Sequence, residues 1–260
     1  MRSALVRLLA FASIQSSRAA SLLAHAVGGA TTLAELRRAI GRGWNKHGQS
    51  VSAAEPSLFD WEAEFYRAHI PPASRVLLVG CGAGRDLIAL AGFGHRVDGL
   101  DIAREALAAC QIALEQRGIA ARLYESAVEE ARIEAQYDAV VFTWLGYAYI
   151  PGREARIGTL RTLRGILRPQ GRILLTYQTR PAGVSRVPGG FARLVARLTG
   201  SAWSPEHGDS FEVLRGPGPL ALHYEHRFNP AEVVAEAQAA GVRVLWHEQA
   251  TEGRIALARD

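Results

Sequence analysis

The chain is poor in three features that mark common protein classes: cysteine, lysine and long apolar runs. Its 260 residues include only two cysteines, Cys81 and Cys110, too few for a disulfide framework and without the spacing of metal ligands. No apolar run approaches the ~18 residues of a membrane span. The scarcity of cysteine favours a reducing cytoplasm, and no transmembrane segment and no metal site are expected.

Lysine is almost absent, although the chain is basic. The formal net charge is +5, yet Lys46 is the single lysine among 30 basic residues, and no basic block occurs. This bias towards arginine and alanine favours a GC-rich, bacterial genome over a phosphate-binding face, so no nucleic-acid partner is expected. With 48% hydrophobic and 21% charged residues, the composition is typical of a globular protein.

The most informative segment is 75–101. Its aliphatic run, 76–79, predicts a buried parallel strand. Glycines follow this strand directly, where they permit a tight turn and a close approach of a ligand to the backbone at a helix N-terminus. Asp101 ends the next predicted strand, where its carboxylate can accept hydrogen bonds from ribose hydroxyls. The segment therefore predicts a nucleoside-binding βαβ unit.

The glycine spacing distinguishes between two classes of nucleoside cofactor. Gly80, Gly82 and Gly84 form G-x-G-x-G. Dinucleotide-binding units carry G-x-G-x-x-G, and Leu87 stands where the third glycine of that pattern would fall. The loop instead resembles the first motif of the class I S-adenosylmethionine (SAM)-dependent methyltransferases. A nicotinamide-dependent oxidoreductase is therefore the less favoured alternative.

Later segments resemble the same family in their order. Residues 137–142 resemble its fourth strand and residues 172–177 its fifth. Asn229 is a predicted N-cap that starts the last helix. Residues 242–247 and 254–258 resemble the antiparallel sixth and seventh strands of the family.

The resemblance covers residues 55–260 and implies an α/β fold. We expect a Rossmann-like seven-stranded sheet, mostly parallel with an antiparallel C-terminal hairpin, and helices on both faces. Residues 1–54 are predicted to form a helical extension before this methyltransferase domain.

The resemblance also implies SAM as cofactor and gives its parts positions. Asp101 would hold both ribose hydroxyls, and Ile102 would lie on one adenine face. Leu78 stands where most members carry an acidic residue, so the usual anchoring of the aminoacyl group is not expected. Arg85 could bind the SAM carboxylate or be the solvated first residue of a helix. The implied cofactor-binding residues are Gly80, Cys81, Gly82, Gly84, Arg85, Asp101, Ile102, Ser126, Ala127 and Thr143.

Residues after the fourth strand give candidates for the acceptor side. Open α/β sheets bind ligands beyond the carboxyl ends of their strands, so Trp144 and Tyr147 are predicted to line the acceptor pocket, although core packing could explain either one. Tyr224 and His226 share a face of an extended segment, and Tyr224 is a third pocket candidate. Because histidine titrates near neutral pH, His226 is our candidate catalytic base, followed by Tyr147.

The first 54 residues differ in character from the rest, with seven basic residues and a single acidic one, Glu35. Apolar residues recur there at spacings compatible with amphipathic helices. Three interpretations remain open: a helical arm that covers the pocket or pairs subunits in a homo-oligomer, a transit peptide, or a membrane-surface helix. We favour the arm, with residues 41–57 as the linker into the core domain.

A second irregular region, 180–220, is rich in glycine and proline, with helical spacing only in 191–198. A long connection of this kind is usually functional or disordered, and we expect it to cover the substrate.

Together these features predict a cytoplasmic enzyme that transfers a methyl group from SAM to an O, N or S atom of a small-molecule acceptor by in-line displacement. The alternatives are a SAM-binding protein without methyl transfer, an assembly partner with a degenerate cofactor site, and the nicotinamide-dependent enzyme.

Overall fold

A computed structural model describes the backbone of residues 2–50, 58–183, 185–214 and 221–259. Side chains in the first of these ranges are described for residues 10–13 and 15–45. The parts of the predicted linker and insertion at 51–57, 184 and 215–220 lie outside the described residues. In chain order the elements are α1 (Arg2–Ala30), α2 (Leu33–Ser50), α3 (Asp60–His69), β1 (Arg75–Val79), α4 (Arg85–Gly92), β2 (Arg96–Asp101), α5 (Arg104–Glu115), β3 (Leu123–Glu125), β4 (Tyr137–Phe142), a 3₁₀ helix (Gly146–Tyr149), α6 (Arg153–Ile166), β5 (Leu167–Gln178), α7 (Val187–Leu198), β6 (Asp209–Val213), β7 (Leu222–His226), α8 (Pro230–Ala240), β8 (Val242–Glu248) and β9 (Glu252–Arg259).

Seven strands form one sheet in the order β3-β2-β1-β4-β5-β9-β8. Strands β1 to β5 run parallel, whereas β9 runs antiparallel to both of its neighbours, β5 and β8. This confirms the predicted sheet with its antiparallel C-terminal pair. The strand order reverses between β1 and β4, and the carboxyl ends of these two strands therefore diverge into a crevice, the usual ligand position in open α/β sheets.

The central strands are buried on both faces, as the aliphatic run in β1 predicts. Val76, Leu77 and Leu78 are fully buried. Leu77 packs with α6 and α8 on one face of the sheet, and Leu78 packs with α3, α4 and α5 on the other. Because alternate residues of a strand point to opposite faces, β1 contributes to both cores. Burial of aliphatic surface, at about 25 cal/mol per Å², is the main stabilisation of this part of the fold.

The last helix begins and ends where its sequence predicts. Asn229 Oδ1 accepts a hydrogen bond from the backbone N–H of Ala231 at 3.0 Å, and the Glu232 carboxylate accepts one from the N–H of Asn229 at 2.8 Å. These reciprocal bonds satisfy donors that an uncapped helix leaves open. Gly241, with φ of +74°, then ends α8 in the left-handed conformation that favours glycine.

A second layer, which we call the cap, consists of α1, α2, α7 and the antiparallel pair of β6 and β7. It has a small core of its own, in which Leu36 packs with Trp203, Phe211 and Tyr224. The interpretation of 41–57 as a linker is wrong for its first ten residues, because α2 continues through them to Ser50. None of the helices in the described ranges combines the length and the apolarity needed to cross a bilayer.

Helix α1 approaches α7 very closely. A Cβ atom at Gly29 would overlap the Ala192 carbonyl oxygen of α7, and one at Gly28 would lie 2.5 Å from the Phe211 ring of β6. Real side chains do not tolerate such distances, so the pair of glycines is required for this packing. The insertion 180–220 thus supplies α7 and β6, and both pack against the N-terminal helices.

Candidate cofactor and acceptor site

The glycine loop leaves β1 and crosses the carboxyl end of β2. The backbone N–H groups of Gly80 and Cys81 donate to the Leu100 carbonyl oxygen at 2.8 and 3.2 Å, which holds the loop against β2. Gly82 has a φ of +51°, and no protein atom lies within 4 Å of the position that its Cβ would occupy. The loop therefore presents bare backbone to an open space, as a cradle for a ligand requires.

Asp101 closes the cradle from the end of β2. Its Oδ2 accepts from the N–H of Gly82 and its Oδ1 from the N–H of Ala103, both at 2.8 Å. A carboxylate has about four acceptor positions, so about two remain for hydroxyl groups of a ligand. Burial raises the pKa of Asp101 above its ordinary value, although the backbone donors oppose this shift.

The end of β4 faces the loop in a strained backbone conformation. The N–H of Thr143 donates to the Val79 carbonyl oxygen at 3.0 Å, and its hydroxyl group donates to the Gly80 carbonyl oxygen. Trp144 and Leu145 follow with φ angles of +38° and +61°, a region that side chains other than glycine avoid. Such strain persists where the surroundings enforce it, and here it turns the Trp144 ring towards the space above the loop.

One cavity of about 520 Å³ lies above the glycine loop and extends under the cap. This volume is within the range of small-molecule sites, roughly 300–1,000 Å³. Gly84, by contrast, does not line the cavity but packs against Cys110, whose sulfur would lie 2.8 Å from a Cβ there. The predicted site residues that line the cavity are Gly80, Cys81, Gly82, Arg85, Asp101, Ile102, Ser126, Ala127, Thr143 and Trp144.

The Arg85 side chain is half-buried and forms ion pairs with two carboxylates. Its Nη2 donates to Glu62 Oε1 and its Nε to Asp86 Oδ1, each at 2.6 Å. The guanidinium group also lies 5.6 Å from the ring centroids of both Phe59 and Trp144. Burial, and next the charge of Asp86, raise the pKa of Glu62. Asp86 itself lines the cavity. A carboxylate therefore lies beside the glycine loop, although the position of Leu78, where most family members carry an acid, does not provide one.

Helix α2 forms the roof of the cavity. Arg37, Ile40 and Trp44 line it from one face of the helix. Arg37 reaches across to Glu129 in an ion pair of 3.3 Å, and the Trp44 ring packs edge-on against Tyr149 at a centroid distance of 4.9 Å. Sequence reasoning missed these roof residues, although their spacing of three and four positions already indicated a single helical face.

Tyr147 lies in the core of the sheet layer rather than on the cavity. Its side chain is fully buried, and its hydroxyl group donates to Glu236 Oε2 at 2.7 Å. Glu236 is paired in turn with Arg156, also at 2.7 Å. Burial, and next the charge of Glu236, raise the pKa of Tyr147 well above its ordinary value. The structure therefore places this candidate among groups that hold α6 to α8.

His226 and Tyr224 meet inside the cap, and the structure does not bring them to the cavity. Asp209 Oδ1 accepts from the Tyr224 hydroxyl group at 2.8 Å and lies 2.7 Å from His226 Nδ1. Burial lowers the pKa of His226, but its bonds to Asp209 and Glu232 outweigh that effect and raise the pKa overall. Glu206 approaches the same group, yet it is engaged by Arg156 at 2.7 Å. This cluster joins β6, β7 and α8.

A family model described as a methyltransferase domain matches residues 76–171, which include the glycine loop, Asp101 and the strained end of β4. Over this segment the chain is similar to the class I SAM-dependent methyltransferases. Its cofactor is SAM, and the observed site fits it, because the space over Gly82 is open and Asp101 keeps acceptor positions for two hydroxyl groups.

The named relatives are distant. The putative methyltransferase YqeM of Bacillus subtilis is 28% identical over 116 residues, 45% of this chain and 47% of that protein, so the match spans about half of its length. The ubiquinone biosynthesis O-methyltransferase of Aeromonas salmonicida is 22% identical over 219 residues, 82% of each chain. SAM-bound CalS10, an amino pentose methyltransferase of Micromonospora echinaspora, is 19% identical with a TM-score of 0.55, covering 85% of this chain and 94% of that chain.

Proposed function

We propose that this methyltransferase acts on an O, N or S atom of a small, largely apolar acceptor. The observation that carries the proposal is a continuous cavity that runs from the glycine loop to a wall of aromatic rings under the cap. SAM supplies an electrophilic methyl group on a sulfonium, and transfer requires the acceptor atom in line with it. A roofed cavity of this size suits a small molecule rather than a nucleic acid.

Different residues around the glycine loop would bind different parts of SAM. Asp101 would accept from the two ribose hydroxyls, and Ile102, with Ser126 and Ala127, would line the adenine end. In place of the acid absent at Leu78, Asp86 would attract the methionine ammonium group with the lone pairs that its bonds to Arg85 and Tyr66 leave open. Arg85, held by Asp86 and Glu62, would face the carboxylate of the same moiety. Charge-assisted bonds of this kind fix orientation as well as affinity.

The acceptor side is formed by four aromatic rings from separate parts of the chain. Phe59, Trp144 and Tyr149 line the cavity with Trp44 of the roof, and together they offer flat apolar surfaces to a flat or apolar acceptor. The relatives differ in acceptor: one is named an O-methyltransferase of ubiquinone biosynthesis, and another is named an amino pentose methyltransferase. The acceptor atom is therefore left open.

Positioning is the main contribution of this chain to the rate in our proposal. No histidine is among the described residues that line the cavity. Burial raises the pKa of Tyr149 to about 12, so its hydroxyl group stays protonated at neutral pH. Holding the acceptor in a near-attack geometry and excluding water can by themselves lower a barrier by several kcal/mol, about 7–11 kcal/mol in well-oriented model reactions.

The buried, free thiols of Cys81 and Cys110 suit a reducing compartment, and we propose a cytoplasmic location.

Two measurements test the proposal. Calorimetric titration should show binding of SAM and of S-adenosylhomocysteine, and none of NADH. Incubation with methyl-labelled SAM and a panel of phenols, aromatic amines and aromatic thiols should then yield a methylated product by mass spectrometry, which Asp101→Ala should lose. SAM binding without transfer to any acceptor class would favour the non-methylating alternative, and failure to bind SAM would favour a degenerate site.

A further inference from the structure

Helix α7 carries a row of large apolar side chains on its outer face. Val187, Phe191, Leu194 and Leu198 are exposed by 66, 40, 51 and 77%. Their spacing of four, three and four residues places all four within one narrow stripe of an α-helix. Scattered exposed apolar residues are ordinary, but a continuous stripe along a whole helix marks an interaction surface.

The stripe is not a face that the fold itself needs. The opposite side of α7 packs on α1 through Ala192 and Ala196, which are 0 and 2% exposed. Gly29 of α1 meets Ala192 so closely that no side chain fits between the two helices. The small residues therefore attach α7 to the cap, and the large ones point away from it.

Cations flank the stripe, and the segment that carries it has no acidic residue. Arg186, Arg193 and Arg197 lie on one side of the helix next to the apolar row, with Arg186 and Arg197 exposed. The segment 179–205 contains no aspartate or glutamate. Residues 1–34, which include α1, contain none either. An apolar row beside a row of arginines matches the boundary of a membrane whose headgroups are anionic.

We propose that the outer face of α7 docks the protein on an anionic phospholipid surface. In this arrangement the apolar row enters the boundary between headgroups and acyl chains, and the arginines bind the phosphates. A second copy of the chain fits the same face less well, because an antiparallel twofold contact of the two helices would bring both rows of arginines to the same side. The charge therefore selects the lipid surface.

Vesicle flotation tests the proposal with the full chain. The protein should float with vesicles of equal parts phosphatidylcholine and phosphatidylglycerol, and about tenfold or more weaker with phosphatidylcholine alone. The double variant Leu194→Asp/Leu198→Asp should lose about tenfold or more of the binding, since two acyl-facing side chains become charged. Ile112→Asp is the matched control, because Ile112 is 57% exposed on α5 and should leave vesicle binding unchanged.

Unfolding curves and SAM titration of every variant show whether it is folded. If the double aspartate variant does not fold, Arg193→Glu/Arg197→Glu gives the same test, with an expected loss of about tenfold or more on anionic vesicles. Equal binding to neutral and anionic vesicles, or binding unaffected by both double variants, would overturn the proposal. So would a dimer in sedimentation velocity that the Leu194→Asp/Leu198→Asp substitutions dissociate without any vesicle binding by the wild type.

Discussion

The sheet layer and the cap are built on different physical principles. In the sheet layer, continuous aliphatic strands such as Val76–Val79 are buried between two helical layers. In the cap, aromatic rings pack around a buried charged cluster in which Asp209 holds both Tyr224 and His226. Aliphatic burial is non-directional, whereas buried charges require their partners in place. The two layers should therefore respond differently to substitution.

The proposed site lies on the boundary between these layers. The sheet layer supplies the glycine loop and Asp101, and the cap supplies the roof through Arg37, Ile40 and Trp44. Cofactor binding should accordingly depend on the backbone geometry of the sheet layer. Acceptor recognition should depend on the aromatic rings under the cap, and the following variants separate these contributions.

The largest effect is expected where the sheet layer offers bare backbone to the cofactor. Gly82→Val places a branched side chain in the open space above the loop, at a φ of +51°. The Kd for SAM should move from the micromolar range to beyond about 1 mM, a change of about 4 kcal/mol. Gly94→Val is the matched control, because Gly94 also has a positive φ, +88°, and open space but lies away from the cavity. Equal loss of SAM affinity in both variants would show a folding defect instead of a blocked cradle.

The next largest effect is expected in the cap. His226→Ala leaves the Asp209 carboxylate without its charged partner, and unfolding by urea should show a loss of about 3 kcal/mol. SAM affinity should be kept, because neither residue lines the cavity. The catalytic role inferred from sequence makes the opposite prediction, a kcat lower by about a hundredfold at unchanged stability. Measuring both quantities on one preparation decides between the two roles.

The same variant has a defined pH dependence. The pKa of His226 is raised in the folded protein, so its stabilisation is fully present below the ordinary histidine value of about 6.5. It is lost as the pH rises through the higher folded pKa. The difference in unfolding free energy between wild type and His226→Ala should therefore shrink from acidic to alkaline pH. A difference that grows with pH would contradict the raised pKa.

Asp101→Ala should have a smaller effect on SAM binding. Losing the acceptor positions for two ribose hydroxyls should weaken SAM binding by about 2 kcal/mol. Because burial raises the pKa of Asp101, the affinity of the wild type should fall on acidification already above the ordinary carboxyl pKa. Asp138→Ala is the control, since Asp138 also accepts from a backbone N–H, that of Arg75, but at the opposite end of the sheet. Unchanged SAM affinity in Asp101→Ala would remove the ribose assignment.

The contrast between the layers also explains what the sequence could predict. The first buried strand and the glycine loop follow from an apolar run and from glycine spacing, which act over short stretches of chain, whereas the seven-stranded sheet was expected from the family resemblance. The cap depends on pairs far apart in sequence, such as His226 with Asp209 and Gly29 with Ala192. Because alternate residues of a strand share a face, the sequence correctly predicted that Tyr224 and His226 lie together. Only the three-dimensional structure shows that this face points to Asp209 rather than to the cavity. Tyr147 likewise follows β4 as predicted but turns inward to Glu236.

The smallest effect should separate strain from function at the end of β4, under the cap. Trp144→Gly relieves a φ of +38° and removes a ring from the acceptor wall. Relief of the left-handed conformation and the added flexibility of glycine are each about 1 kcal/mol and opposed, so the free energy of unfolding should change little. The kcat/KM for the acceptor should fall about tenfold through a higher KM, because a binding surface is lost. Gln170→Gly is the control, with a φ of +65° on the exposed turn of β5 and no contact with the cavity. If both variants kept full kcat/KM, the strained end of β4 would have no part in acceptor binding, and the boundary between the layers would serve the cofactor alone.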